Sequence, residues 1–377
     1  MGGAEEQNRI AVIGSGAAGC LCAYFLLKSG LDVTLFDKNP PLLTLLPTGG
    51  GRCNLAHAEF NPKELPHNYP RGEKFLYSVF SKFSTSDTIE IFAELGVETY
   101  IQEDGKIFPV SNSSKDVRNK LLNAIKKYGG KFVQKEIKDV KELENDFDKI
   151  VISIGGHSGY DILKSYNLNI IPPKPSLVGL NTKENLSELS GISLKDVSIS
   201  NMTGDILFTH FGISGPLIYT ISSLNAFKKF PYVLKIDLMP NLGDLQTIFN
   251  QKPHKEIKNI LSEYFPAKIV SYLLRGTDSE VRGCNINSQM RDLINNRIHE
   301  FEINITGTNK GSETVTAGGI DLDEINPKTM QIKKYPNLYC IGEVLNIDGF
   351  CGGFNLQNAW STACVCAEGI KNTSNLP

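Results

Sequence analysis

Residues 9–37 read RIAVIGSGAAGCLCAYFLLKSGLDVTLFD, and their order decides the fold of this chain. An apolar strand, Ile10 to Ile13, runs into Gly14-Ser15-Gly16-Ala17-Ala18-Gly19. A helix is expected to about Lys28, with Gly30 as its stop. A second strand, Val33 to Phe36, ends on Asp37, with Lys38 next. Strand, glycine-rich turn, helix, strand and acid in this order describe a dinucleotide-binding unit. Gly14 permits a tight turn off the strand, Gly16 lets a pyrophosphate approach the backbone, and Gly19 lets the helix pack close to the sheet. The helix N-terminus offers unpaired N–H groups and a partial positive charge to the phosphates. Asp37 follows at the offset where an acid accepts hydrogen bonds from ribose hydroxyls.

Past Lys38 comes NPPLLTLLPTGGGRCNLAHAEF, where prolines block a regular helix and three glycines allow a close backbone approach. Gly50, Gly51, Arg52, Cys53 and Asn54 are read as a second cofactor-contacting loop. Cys53 itself reads as a small packed residue. Apolar positions at helical spacing from Phe75 to Leu95 predict two helices broken near Ser84. A helix over Val117–Tyr128, capped by Ser114 or Asp116, leads to a strand from Lys131 to Ile137. Ile137 joins the cofactor candidates. The very apolar strand Lys149–Ile154 ends on Gly155-Gly156, and Gly155 is a further candidate. Strands alternating with helices argue for a parallel sheet covered on both faces.

The character changes at Ile171-Pro172-Pro173-Lys174-Pro175, read as a crossing between domains. Short strands follow, Ser176–Thr182, Leu194–Asn201, Gly204–Thr209 and Tyr232–Asp237, which suggest a small sandwich or barrel. From Leu242 to Arg297 the periodicity is helical, and strands return at Phe301–Thr306 and Thr314–Thr316. Near the C-terminus a strand, Asn337–Ile341, ends on Gly342-Glu343. Asp348-Gly349-Phe350-Cys351-Gly352-Gly353-Phe354-Asn355 then opens a helix from about Leu356 to Ile370. A glycine pair before a helix start is again a place for a hydrogen-bond acceptor.

The totals bound the rest. With 377 residues, two or three domains are expected, and 41% apolar residues support a sizeable core. A net charge of −2 and no basic cluster argue against a nucleic-acid partner. The N-terminal MGGAEEQN lacks an apolar signal core and a myristoylation pattern, and no apolar stretch is long enough to span a bilayer. The eight cysteines form no CxxC pair, which fits free thiols in a reducing cytoplasm, and no metal site is expected.

Six stretches together resemble the FAD-dependent oxidoreductases called HI0933-like, YhiN-like or BaiN-like. They are GSGAAG (14–19), TGGGRCN (48–54), GKIFPVSNSSKDV (105–117), LFTHFGISGP (207–216), VTAGGIDLDEINPKTM (315–330) and LYCIGEVLNIDGFCGGFNLQNAW (338–360). The resemblance implies an α/β architecture. A discontinuous Rossmann-type FAD-binding domain (1–172 and 310–377) would carry an inserted β-barrel-like domain (173–240 and 299–309) and a small helical domain (241–298). It implies non-covalent FAD, with Gly342 and Glu343 at the ribityl chain. Gly353, Phe354, Asn355 and Leu356 would lie at the isoalloxazine, where helix N–H groups stabilise the reduced anion. The sequence departs from the family at PPLLTLLP before TGGGRCN, at Ser153-Ile154, in the short loop HSGYDIL, at Asn346 and at Asn358.

Only one complete GxGxxG is present, so NADH or NADPH would dock transiently at the flavin. His210, Asp348 and Cys351 are the catalytic candidates: His210 as a proton donor, though it reads more readily as a structural histidine, and Cys351 as a redox partner of the flavin, with His57 weighed as a covalent flavin anchor. The leading expectation is reduction of an activated C=C bond in a small hydrophobic molecule by a cytoplasmic monomer or homodimer. The alternatives are a flavin-dependent RNA-modifying enzyme and a flavin-carrying redox partner without turnover of its own.

Overall fold

A computed structural model describes residues 9–157, 159–309, 311 and 315–374. They fall into two compact units, one of the residues up to Lys174 together with those from Val315 onward, the other of those between.

The first unit is built on a six-stranded sheet in the order Gln331–Ile332, Tyr335–Cys340, Lys149–Ile152, Arg9–Ile13, Asp32–Asp37, Lys131–Gln134. Every pairing is parallel except the hairpin Gln331–Ile332 with Tyr335–Cys340 at one edge. Parallel strands buried on both faces explain the near-continuous apolar runs: Ile10, Ala11, Val12, Val33, Val151 and Ile152 are fully buried. The register sets Ile13 beside Phe36 on one side and Ile152 on the other, so three strand ends finish level at one rim. Ligands of open α/β sheets bind at this carboxyl rim. Helix Ala17–Lys28 and the C-terminal helix Phe354–Ser374 cover the sheet and pack against each other.

The expected break near Ser84 is a capping box. Ser84 and Asp87 exchange hydrogen bonds and start helix Thr85–Glu94 just after helix Glu73–Phe80 ends. The next helix, Ser114–Lys127, begins one turn earlier than its apolar spacing suggests, because Ser113 is the cap that accepts from Asp116 N. The strand after it stops at Gln134, short of Ile137. Prolines 172, 173 and 175, read from the sequence as a crossing, belong to regular structure. They lie in strand Ile170–Ser176, whose one partner in a two-stranded sheet is Val315–Ile320, and an edge strand tolerates missing N–H donors.

The second unit holds a six-stranded antiparallel sheet in the order Ser193–Ile199, Met202–Thr209, Gly212–Ser214, Leu180–Thr182, Phe301–Thr308, Tyr232–Ile236. Its first and last strands meet: Ser198 and Asp237 exchange two backbone hydrogen bonds of 2.9 Å. The sheet therefore curls into a barrel-like form. Helices Leu245–Gln251, Ile257–Leu261, Ala267–Leu273 and Ser288–His299 contribute Phe249, Ile260, Leu273 and Ile298 to the same apolar core as the sheet. No helix among the described residues is long and apolar enough to cross a membrane.

Candidate functional site

The glycine-rich turn has the geometry that its spacing implies. Gly14 turns with φ +97°, and a Cβ there would lie 2.3 Å from Ser153 O. A Cβ on Gly19 would lie 2.0 Å from Gly14 O, so helix and strand touch backbone to backbone. Gly16 differs. Its φ is an ordinary −75°, and the nearest atom to an added Cβ is Thr44 Oγ1 at 3.8 Å. No protein atom crowds that position, so a requirement for glycine at Gly16 would come from a ligand. The first intrahelical bond is Cys20 N to Gly16 O, which leaves the N–H groups of Ala17, Ala18 and Gly19 in the open first turn. Asp37 receives Ser15 N at 2.7 Å and Ser15 Oγ at 2.9 Å on one oxygen, and Asn39 N on the other. The acid thus braces the turn while remaining partly exposed at the strand end.

Two further segments meet this turn. An added Cβ on Gly342 would touch Ala18 at 2.9 Å, and one on Gly156 would touch Glu343 at 2.9 Å. Gly342 N donates to Thr362 Oγ1 of the C-terminal helix, whose hydroxyl in turn donates to Asn358 O. Glu343 accepts Thr316 N at 2.7 Å, and burial lifts its carboxyl above the ordinary range, assisted by nearby Asp348. Gly155 has φ +79° with open space around it.

The start of the C-terminal helix meets the chain just after the TGGGRCN loop. A Cβ on Gly353 would lie 2.4 Å from Ala56 O, and Trp360 Nε1 donates to Leu55 O at 2.9 Å. His57 stacks on Phe354 at 4.6 Å and reaches Gly352 O through Nδ1. Tyr69 donates its hydroxyl to Phe354 O at 2.6 Å, and Asn355 closes the preceding loop with two bonds to the Gly349 backbone. The first intrahelical bond there is Gln357 N to Gly353 O. The N–H groups of Phe354, Asn355 and Leu356 therefore occupy the first turn.

The remaining candidates have distinct places. Gly50 and Gly51 have positive φ with no close neighbour, and the Arg52 guanidinium lies on the Phe108 ring at 4.0 Å. Cys53 is buried at φ +64°, and burial pushes its thiol up to about 12. Lys38 is exposed and pairs with Glu136, while Ile137 belongs to the main core. Asp348 is fully buried in an ion pair with Arg71, and Cys351 is exposed in the same loop. His210 is exposed in the turn between Met202–Thr209 and Gly212–Ser214, in the second unit.

Sequence reasoning missed Arg71 and Tyr69, which lie in no glycine-rich motif and whose partners are hundreds of residues away. It noted Asn346 and Asn358 as departures without giving them a role. With Asn54 they are three of seven described residues that have a buried side-chain polar atom without a partner, the others being Thr85, Asn181, Thr209 and Tyr339. Buried acceptors are normally satisfied. Hydroxyl and ring N–H donors of a bound FAD would satisfy such oxygens. Together with the open face at Gly16 and two helix N-termini, they make the residues present fit a flavin dinucleotide.

Sheet, turn and rim together define a Rossmann-type FAD-dependent oxidoreductase. A model of the family described as HI0933-like protein Rossmann domain matches residues 8–369, and the chain belongs to that family. It is 32% identical to a ribosomal RNA dihydrouridine synthase of Haemophilus influenzae, over 97% of this chain and 99% of that one. Identity to the ribosomal RNA dihydrouridine synthase of Escherichia coli is 30%, over 97% and 98%. A 3-dehydro-bile acid delta(4,6)-reductase of Clostridium scindens is 26% identical over 96% and 98%. Among solved structures, the 3-ketosteroid delta1-dehydrogenase of Sterolibacterium denitrificans superposes with a TM-score of 0.50 at 11% identity, covering 97% of this chain and 100% of that one. That likeness concerns the fold alone.

Proposed function

We propose that this chain reduces the C5=C6 bond of a uridine in ribosomal RNA, with a nicotinamide as electron donor. One observation carries the reading: two relatives named for that activity align at 32% and 30% identity over nearly the whole of both chains. This reverses the order of readings drawn from the sequence, where a small hydrophobic substrate led. The relative named for a bile-acid substrate aligns at 26%. The chemistry is shared, because uracil and a 3-keto-Δ4 steroid both present a C=C bond conjugated to a carbonyl.

In the overall reaction, hydride adds to C6, a proton adds to C5, and the nicotinamide leaves oxidised. Bound at this site, FAD in its reduced form would supply the hydride. Gly14 to Gly19, Asp37 and Asn54 would hold the dinucleotide, Glu343 and Asn346 its middle. The first-turn N–H groups of Phe354, Asn355 and Leu356 would stabilise negative charge by up to about 2 kcal/mol. Of the three catalytic candidates, Asp348 is committed to Arg71. Cys351, exposed in the loop before the helix start, is our choice for the C5 proton. Cys351→Ala should keep the flavin spectrum and its bleaching by NAD(P)H, yet lose at least about tenfold in turnover.

The test is nucleoside mass spectrometry of ribosomal RNA from cells with and without the gene. Loss of dihydrouridine, restored by the wild-type chain, is expected; unchanged content overturns the reading. Reoxidation of the reduced protein by a 3-keto-Δ4 steroid, and not by ribosomal RNA, would favour the small-molecule alternative.

A further inference from the structure

The net charge of −2 is a sum over the whole chain and hides one region. Between Asp205 and Asp237 there is no aspartate or glutamate, while Lys228, Lys229 and Lys235 lie within it. Several cations of the second unit are neutralised locally. Lys235 pairs with Glu300 and Glu302, Lys252 and Lys255 with Glu263, Lys258 with Glu256 and Glu280, and Arg275 with Glu188. Lys228 and Lys229 are exposed and have no carboxylate within ion-pair distance among the described residues.

These two lysines sit among exposed rings. Helix Pro216–Leu224 ends at Asn225, and the chain turns through Phe227 before strand Tyr232–Ile236 begins. Phe227 and Phe230 are 45% and 42% exposed. Leu224 and Val233 are also exposed beside them in the sequence. The Phe230 ring stacks on buried Tyr232 at 5.5 Å and 19°, and Lys228 Nζ lies 4.5 Å from the same ring. The segment is thus held on a fixed aromatic floor while it presents apolar faces and two unneutralised cations to solvent.

Flat aromatic faces alternating with cations are the chemistry that binds unpaired nucleotides: bases stack on rings, and phosphates meet ammonium groups. The charge is complementary to one partner of a uridine-reducing enzyme. Resting on the RNA reading above, we propose that Phe227, Lys228, Lys229 and Phe230 form a docking surface for a single-stranded stretch of the RNA substrate.

The experiment uses full-length FAD-loaded protein, a labelled single-stranded oligouridine and deproteinised ribosomal RNA. Phe227→Ser should weaken binding by about tenfold, the loss of one stacked base. Lys228→Ser/Lys229→Ser should lower the slope of log K against log salt by about 1.4, for two single-strand phosphate contacts. Lys229→Ser alone should lower it by about half of that and leaves the Lys228–Tyr232 contact in place. In each variant the flavin spectrum and its bleaching by NAD(P)H should match wild type.

Wild-type RNA binding with unaltered variants would overturn the surface and leave the RNA reading standing. Absence of RNA binding by wild type, with dihydrouridine unchanged in the deletion strain, would overturn both. Binding to phosphatidylglycerol vesicles through these residues, without competition by RNA, would assign the surface to a membrane and overturn the proposal.

Discussion

The two units use polar groups in opposite ways. In the first, polar atoms are buried and join segments far apart in sequence: Arg71 with Asp348, Tyr69 with Phe354 O, Trp360 with Leu55 O, Gly342 N with Thr362. In the second, a core of Ile, Leu, Val and Phe is closed by strand pairing, and its ion pairs lie outside. A unit that grips a polar cofactor needs polar atoms inside, each held by a distant partner. A unit whose core is mainly apolar packing, with a few buried hydroxyls such as that of Ser222, can leave its charges in water. Robustness to substitution should differ accordingly.

The largest expected effect is at the buried ion pair. Arg71→Ala takes the guanidinium away from a carboxylate at 0% exposure and should cost about 3–5 kcal/mol in denaturant unfolding. Arg71→Met/Asp348→Leu removes both charges and should recover much of that loss. A double variant as unstable as the single one would mean that the pair is not the source.

Next come two glycines of one motif that separate folding from binding. Gly19→Ala places a methyl 2.0 Å from Gly14 O and should cost about 3 kcal/mol, because two backbones must move apart. Gly16→Ala meets nothing closer than 3.8 Å, so its unfolding midpoint should hold. Its FAD affinity should still fall at least about tenfold, about 1.4 kcal/mol, read by flavin fluorescence titration. Equal behaviour of the two variants would break the distinction.

The smallest effect belongs to the second unit. Lys252 and Lys255 hold the Glu263 carboxyl down at about 2. A depressed carboxyl adds stability above its unfolded pKa and loses it as pH falls through about 2. All three side chains are exposed, so solvent screens the pair. Glu263→Gln should leave the midpoint at neutral pH unchanged in low and high salt. A shift as large as that of Arg71→Ala would erase the contrast between the units.

Much of the first unit was legible because short-range steric rules act within a few residues. Gly14 and Gly19 are glycine for contacts that strand and helix create by themselves, and Ile10 to Ile13 is apolar because a parallel strand is covered twice. The proline cluster at 172–175 reads as a crossing between domains and forms an edge strand, since no local rule states that the partner is Val315–Ile320. The barrel-like closure at Ser198 and Asp237 is likewise invisible locally.

The sequence by itself determined the dinucleotide turn, the family resemblance, the return of α/β pattern near the C-terminus and the apolar character of the insert. Local sterics and hydrophobic period act over a few residues and are written in order along the chain. Only the tertiary structure decided that Asp348 answers Arg71, that Asn54, Asn346 and Asn358 share one unsatisfied condition, and that Lys228 and Lys229 stand without acids among exposed rings. Each of these depends on which distant atoms come within a few ångströms, and that is set by the packing of the whole unit.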